Sequence, residues 1–226
     1  MPKVLLIFGV ALAAAIGLTA GAQETNYWIW VDWRADTYAP SGYAGKVLPV
    51  AGSFMEATVF VTETTGQLVD LSKLPIYWYL NDRLLEGGNG KQKIVFLVPE
   101  DASRNLKLRA RVGGLKNGDA IQTLRLPVAA PDIVIDAPYP SNRFGTTAAE
   151  VWARPFFFKI ARLGDLGLTW RVNGELVQNA EHPESLRMEI DPNTPDGTAV
   201  DISLAAQNPR GLFESAQSAA RLIFQK

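Results

Sequence analysis

The sequence predicts an all-β protein of two tandem β-sandwiches behind an N-terminal export signal. Three observations predict it: a Trp-centred motif that occurs twice, short alternating runs punctuated by Gly, Pro, Asn and Asp, and no helix-period stretch after residue 22. The 226 residues are 47% apolar and 20% charged, a globular balance rather than that of a disordered tail or collagen-like rod.

Composition also narrows the chemistry. Zero Cys and one His exclude disulfides, thiol nucleophiles, thiolate zinc sites and His clusters, so neither metal nor cofactor is expected. Lys plus Arg is 22 against 23 for Asp plus Glu, and bulk charge gives no reason to expect a nucleic-acid or anionic-lipid partner.

Taken in order, Met1-Pro2-Lys3 is a short positive start, Val4 to Leu18 is apolar, and Ala20-Gly21-Ala22 has the small-x-small pattern that signal peptidase accepts. Residues 1–22 therefore read as a signal peptide cleaved before Gln23, with an uncleaved anchor helix as the alternative. The first domain is expected over 23–130 and the second over 131–226, with the boundary at Ala129-Ala130-Pro131. So short a linker predicts end-to-end stacking with limited freedom.

Leu74-Pro75-Ile76-Tyr77-Trp78-Tyr79-Leu80-Asn81-Asp82 aligns with Leu166-Gly167-Leu168-Thr169-Trp170-Arg171-Val172-Asn173-Gly174 at a constant offset of 92. Each is an alternating strand ending in Asn-Asp or Asn-Gly before a second apolar run, the pattern of a hairpin whose turn requires positive φ. In the first copy Tyr27 to Trp33 and Met55 to Thr62 precede the motif, and Lys93 to Val98, Asn105 to Val112 and Ile121 to Val128 follow it. In the second, Asp132 to Asp136 and Val151 to Ile160 precede it, and Ser185 to Ile190, Val200 to Ala205 and Ala219 to Gln225 follow.

Tyr77-Trp78-Tyr79-Leu80-Asn81-Asp82 and Thr169-Trp170-Arg171-Val172-Asn173-Gly174 resemble strand C and the C–C′ turn of immunoglobulin-like domains in bacterial surface proteins, including the PKD type. The resemblance implies that each Trp is the central core aromatic and that strands C, F and G share a sheet.

Two candidate binding regions emerge. Alternation that turns Trp78 and Leu80 inward turns Tyr77 and Tyr79 outward; likewise Lys107, Arg109 and Arg111 face out opposite Leu106, Leu108 and Ala110. Outward Arg125 would join them, giving a basic, tyrosine-bearing face suited to an acidic glycan or protein patch, or simply an ordinary solvated face. The second is aromatic. Tyr27, Trp28, Trp30, Trp33, Tyr38 and Tyr43 place six of the twelve Trp and Tyr residues in seventeen positions. Either these six pack core and loop, with Trp28 and Trp30 filling the first domain's core and Tyr38 and Tyr43 holding the loop down, or the Tyr27–Tyr43 cluster forms a carbohydrate-binding site with Trp33, Tyr38 and Tyr43 among its contact residues.

Of the remaining motifs, Phe156 and Phe158 are expected in the core, with Phe157 at an interface. Asp191 to Gly197 reads as a turn, since Pro195 and a missing closing Glu spoil a calcium loop. His182 reads as a surface residue. No Gly-x-Ser-x-Gly elbow, phosphate loop, dinucleotide fingerprint or His-Glu-x-x-His occurs. The expectation is a non-enzymatic, secreted or cell-surface binding or spacer protein, active in adhesion or in envelope or appendage assembly, whose partner is a surface protein or glycan. A carbohydrate-binding module is the runner-up, and a carboxylate hydrolase at the domain junction is the third reading.

Overall fold

The computed structural model describes residues 26–102, 105–178, 182–211 and 214–226. The expected export signal lies outside the described residues.

The first sandwich faces a three-stranded sheet, β1-β2-β5, against a four-stranded one, β4-β3-β6-β7. Its strands are β1 (Tyr27–Ala35), β2 (Phe54–Glu63), β3 (Pro75–Leu80), β4 (Arg83–Asn89), β5 (Lys93–Leu97), β6 (Asn105–Leu115) and β7 (Gly118–Pro127). The second repeats the plan with β8 (Asp132–Asp136), β10 (Ala148–Phe156) and β13 (Ser185–Glu189) against β11 (Gly167–Val172), β12 (Glu175–Leu176), β14 (Ala199–Gln207) and β15 (Ser215–Phe224). This is the immunoglobulin-like order, A-B-E over C′-C-F-G, in both halves. Only β9 (Arg143–Phe144) has no counterpart among the first sandwich's strands: it pairs parallel with β15 at Ile223 and Phe224. Two residues are too few to show a period, so nothing in the sequence marks this strand.

Alternation builds each core. Met55, Ala57, Val59 and Val61 of β2 meet Ile76, Trp78 and Leu80 of β3 and Leu106, Leu108, Ala110 and Val112 of β6. The second core gathers Ala149, Val151 and Ala153 with Trp170, Ile202 and Leu204. The two indoles are 0% and 2% exposed. Each donates its Nε1–H to a backbone carbonyl thirteen residues on, Trp78 to Lys91 and Trp170 to Pro183, both at 2.8 Å. The only polar atom of each ring is thus satisfied where burial would otherwise penalise it.

The turn after each Trp strand is left-handed at both central positions: φ is 48° at Asn81 and 65° at Asp82, 51° at Asn173 and 86° at Gly174. Asn serves here because it tolerates this region and its amide oxygen reaches across the sheet. Asn81 Oδ1 accepts the Lys107 N–H at 3.0 Å and Asn173 Oδ1 the Asp201 N–H at 2.9 Å. The Asn N–H groups donate back to the same residues' carbonyls. Asp191 to Gly197 is a turn, closed by Asn193 N–H on Asp191 Oδ1 at 2.8 Å.

Two expectations about aromatic residues are corrected. Trp28 and Trp30 do not enter the core; they are 67% and 43% exposed, and Tyr27, Ile29, Val31 and Trp33 pack inward instead. Both parities of β1 carry rings, but Asp32 and Arg34 share the parity of Trp28 and Trp30, and burying two charges costs more than exposing two indoles. Phe156, expected beside Phe158 in the core, lies on the outward parity of β10 with Trp152 and Arg154, whereas Phe158 is buried. The strand ends at Phe156 because Phe157 adopts a φ of 62°, which breaks the alternation on which the expectation rested.

Candidate functional site

The β4-β3-β6-β7 sheet of the first sandwich turns one face to solvent, and register fixes what stands on it. Tyr77 is opposite Arg111 and Tyr79 opposite Arg109; on the next strand Lys107 is opposite Arg125 and Arg109 opposite Thr123. All six residues expected on this face are brought together there: Tyr77, Lys107, Arg111 and Arg125 are exposed, and Tyr79 and Arg109 half-buried. The Tyr77 ring lies over Gly87 of β4, where a Cβ would come within 2.5 Å of the ring carbon Cδ1. The Arg109 guanidinium sits 4.4 Å from the centre of the Tyr79 ring.

The cations are partly balanced. Asp82 in the left-handed turn takes Lys107 at 3.0 Å and Arg109 at 3.2 Å, and Asp119 at the start of β7 takes Arg111. Asp119 holds the Arg111 guanidinium above its ordinary range, chiefly through their hydrogen bond. Arg125 has no carboxylate partner among the described residues, so four cations face two carboxylates. Alternation along the strands predicts the cations but not their partners: Asp82 reaches the face from the turn after β3, and Asp119 from the first residues of β7, beside the irregular end of β6.

Trp33, Tyr38 and Tyr43 form no common platform. Trp33 packs half-buried against the first core with Lys46 Nζ 4.7 Å over its ring. Tyr38 is held by its backbone: its N–H donates to Phe158 O at 2.8 Å and its carbonyl accepts Phe157 N–H at 2.7 Å. Tyr43 stands edge-on to Phe156 and Phe157, with centroids at 5.4 and 6.2 Å. The segment between β1 and β2 is therefore a strap from the first sandwich onto the end of β10 in the second. Thr37 Oγ1 donates to Leu48 O at 2.7 Å and draws the two ends of the strap together.

Beside the strap, Val50, Glu100, Ala129, Pro131, Lys159 and Glu214 line a junction cleft of about 710 Å³. Glu214 is buried, and both of its carboxylate oxygens are taken: Oε1 accepts Lys159 N–H at 3.0 Å and Oε2 the Asn208 amide. It fastens the chain after β10 to the turn after β14. His182 is a surface residue, 3.6 Å from Glu184. Among the described residues no group of three His, Asp or Glu is arranged to hold a metal ion, and no helix is long and apolar enough to cross a membrane.

No protein family matches the chain, and no curated protein does. It is similar to solved structures of tandem sandwich domains. The three N-terminal domains of the bacteriophage RB49 highly immunogenic outer capsid protein share 10% identity over 88% of this chain, with a TM-score of 0.43. This chain spans 59% of that one. The fibronectin(III)-like modules of Clostridium thermocellum CbhA share 14% over 88% of this chain and 94% of theirs, with a TM-score of 0.29. The tandem immunoglobulin repeats of Dlar share 11% over 87% and 97%, with a TM-score of 0.27. The class is thus a tandem pair of immunoglobulin-like β-sandwiches, defined by the chain's own strand order.

Proposed function

We propose that the chain is an exported, non-enzymatic binding module of the cell surface that engages an acidic partner, protein or glycan, through the β4-β3-β6-β7 face of its first sandwich. The observation that carries this is the positioning of Tyr77 and Tyr79 among Lys107, Arg109, Arg111 and Arg125, with four cations against two carboxylates. Rings with polar tips give contact area at low entropy cost, and the surplus positive charge steers an acidic surface toward them. The matching face of the second sandwich carries Arg171 and Arg221 against Asp201, a surplus of one cation where the first sandwich has two; it acts as a spacer, and the strap sets its angle. Export is supported by the positive start at Lys3, the apolar run from Val4 to Leu18 and the small-x-small Ala20-Gly21-Ala22.

The test is capture of partners from the native envelope by the full chain and by a variant with Tyr77, Tyr79 and Arg109 replaced by Ala. The variant is expected to lose capture while keeping its circular dichroism spectrum and a cooperative melt, since none of the three side chains lies in the core. Binding by the native chain should weaken with added salt, since exposed charges are screened beyond about 8–10 Å at physiological ionic strength. Equal capture by the variant removes this face from consideration.

A further inference from the structure

The opposite sheet of the first sandwich presents a second surface. On its outer side Trp28 stands opposite Thr62 and Trp30 opposite Phe60, while Leu68 bridges to Thr62 from the far side. Trp28, Trp30 and Leu68 are all exposed. Trp28 and Trp30 project from the same side of β1 two residues apart, about 6.7 Å along the strand. The Trp30 and Phe60 rings are near parallel, 19° apart with centroids at 5.7 Å.

Next along the same face comes a belt of paired charges. Arg34 and Lys93 both hold Glu56, at 3.0 and 2.6 Å, and Lys46 holds Asp32 at 3.3 Å. Val95 stands in the belt opposite Glu56, and beyond it lie exposed Phe54 and Leu97, opposite each other.

We propose that this face binds an uncharged, hydroxyl-rich polysaccharide, with sugar rings against Trp28, Trp30 and Phe60 and hydroxyls on the charged belt. Three features select that occupant. Planar indoles held out on a strand offer π faces to the C–H face of a pyranose and keep an N–H for its hydroxyls. Every ion of the belt is paired and its three cations exceed its two carboxylates by a single charge, so it offers donors and acceptors with a weaker field for a charged ligand than the Tyr77 face. The belt also splits the apolar surface in two, whereas a protein interface needs an apolar centre depleted of charge. The site is on the opposite sheet from Tyr77 and stands independently of that face.

The test is affinity electrophoresis of the full chain in gels containing cellulose derivatives, mixed-linkage β-glucan, galactomannan or starch, with alginate as the charged control. At least one neutral polymer is expected to retard the native chain. A Trp28→Ala/Trp30→Ala variant should lose about tenfold or more in affinity while a Tyr77→Ala variant keeps it. Because both indoles are outside the core, the double variant should keep its circular dichroism spectrum and cooperative melt, with a small drop in melting temperature from the lost Trp30–Phe60 pair. No retardation by any neutral polymer, retardation by alginate alone, or equal retardation of the double variant would overturn the proposal.

Discussion

The indole of Trp170 donates to the Pro183 carbonyl at 2.8 Å, thirteen residues on and past the C′ strand. Trp78 makes the same bond to Lys91 over the same separation. Each bond closes the C–C′ hairpin back over its own core, so each Trp fills the sandwich and also sets the path of the chain leaving it. Replacing either by Phe keeps most of the volume but leaves a carbonyl without its donor, at a cost of about 1–3 kcal/mol. Trp78→Phe and Trp170→Phe should each lower the unfolding free energy measured by denaturant titration by that amount, and Trp→Ala by about 3–5 kcal/mol. Unchanged midpoints in both Phe variants would contradict the role of the bond.

Asn173 combines a left-handed φ with two hydrogen bonds to Asp201. Asn173→Gly keeps the conformation and loses the side-chain bond, whereas Asn173→Ala loses that bond and adds about 1–2 kcal/mol of left-handed strain. In thermal melts Ala should therefore be worse than Gly, and Asn81 should follow the same order. Equal effects of Ala and Gly would show that conformation is not what the position requires.

The strap depends on Tyr43. Tyr43→Ala removes two ring pairs, each worth about 0.5–1.5 kcal/mol. Gly45→Val should act alike, because a Cβ at position 45 would lie 2.3 Å from the Tyr43 hydroxyl and push the ring aside. Both variants should be cut several times faster by protease within residues 36–49, with circular dichroism unchanged. Cleavage at the native rate would mean that the rings do not hold the strap.

Acid should weaken the first sandwich through Glu56. Lys93, then Arg34, hold its carboxyl below the ordinary value of 4.5. A carboxylate depressed on folding contributes stability fully above its unfolded value and loses it as pH falls through the folded one. The gap in melting temperature between the native chain and Glu56→Gln should therefore be present at neutral pH and shrink below about pH 4.5. A gap independent of pH would exclude the ion pairs as its cause.

Much of the fold was legible because period-two alternation and left-handed turn residues are local signals. The repeat around Trp78 and Trp170 placed both cores, and the parity of Tyr77, Lys107 and Arg109 placed the basic face. What the sequence hid was non-local. Asp82 reaches that face from a turn and Asp119 from the start of β7, the Tyr38 backbone pairs with Phe157 and Phe158 far along the chain, and the positive φ at Phe157 has no glycine to announce it. On β1, rings on both parities masked the direction of the strand. The deciding residues were Asp32 and Arg34, whose charge outweighs the pull of two indoles toward the core.

Hydrogen exchange at the indole N–H groups, followed by NMR on the full chain, tests the architecture most directly. Trp78 and Trp170 should exchange slowly, each only when its sandwich opens, while Trp28 and Trp30 exchange at the rate of free indole. If Trp78 or Trp170 exchanges as fast as Trp28, the account of two sandwiches each closed over its own tryptophan is contradicted.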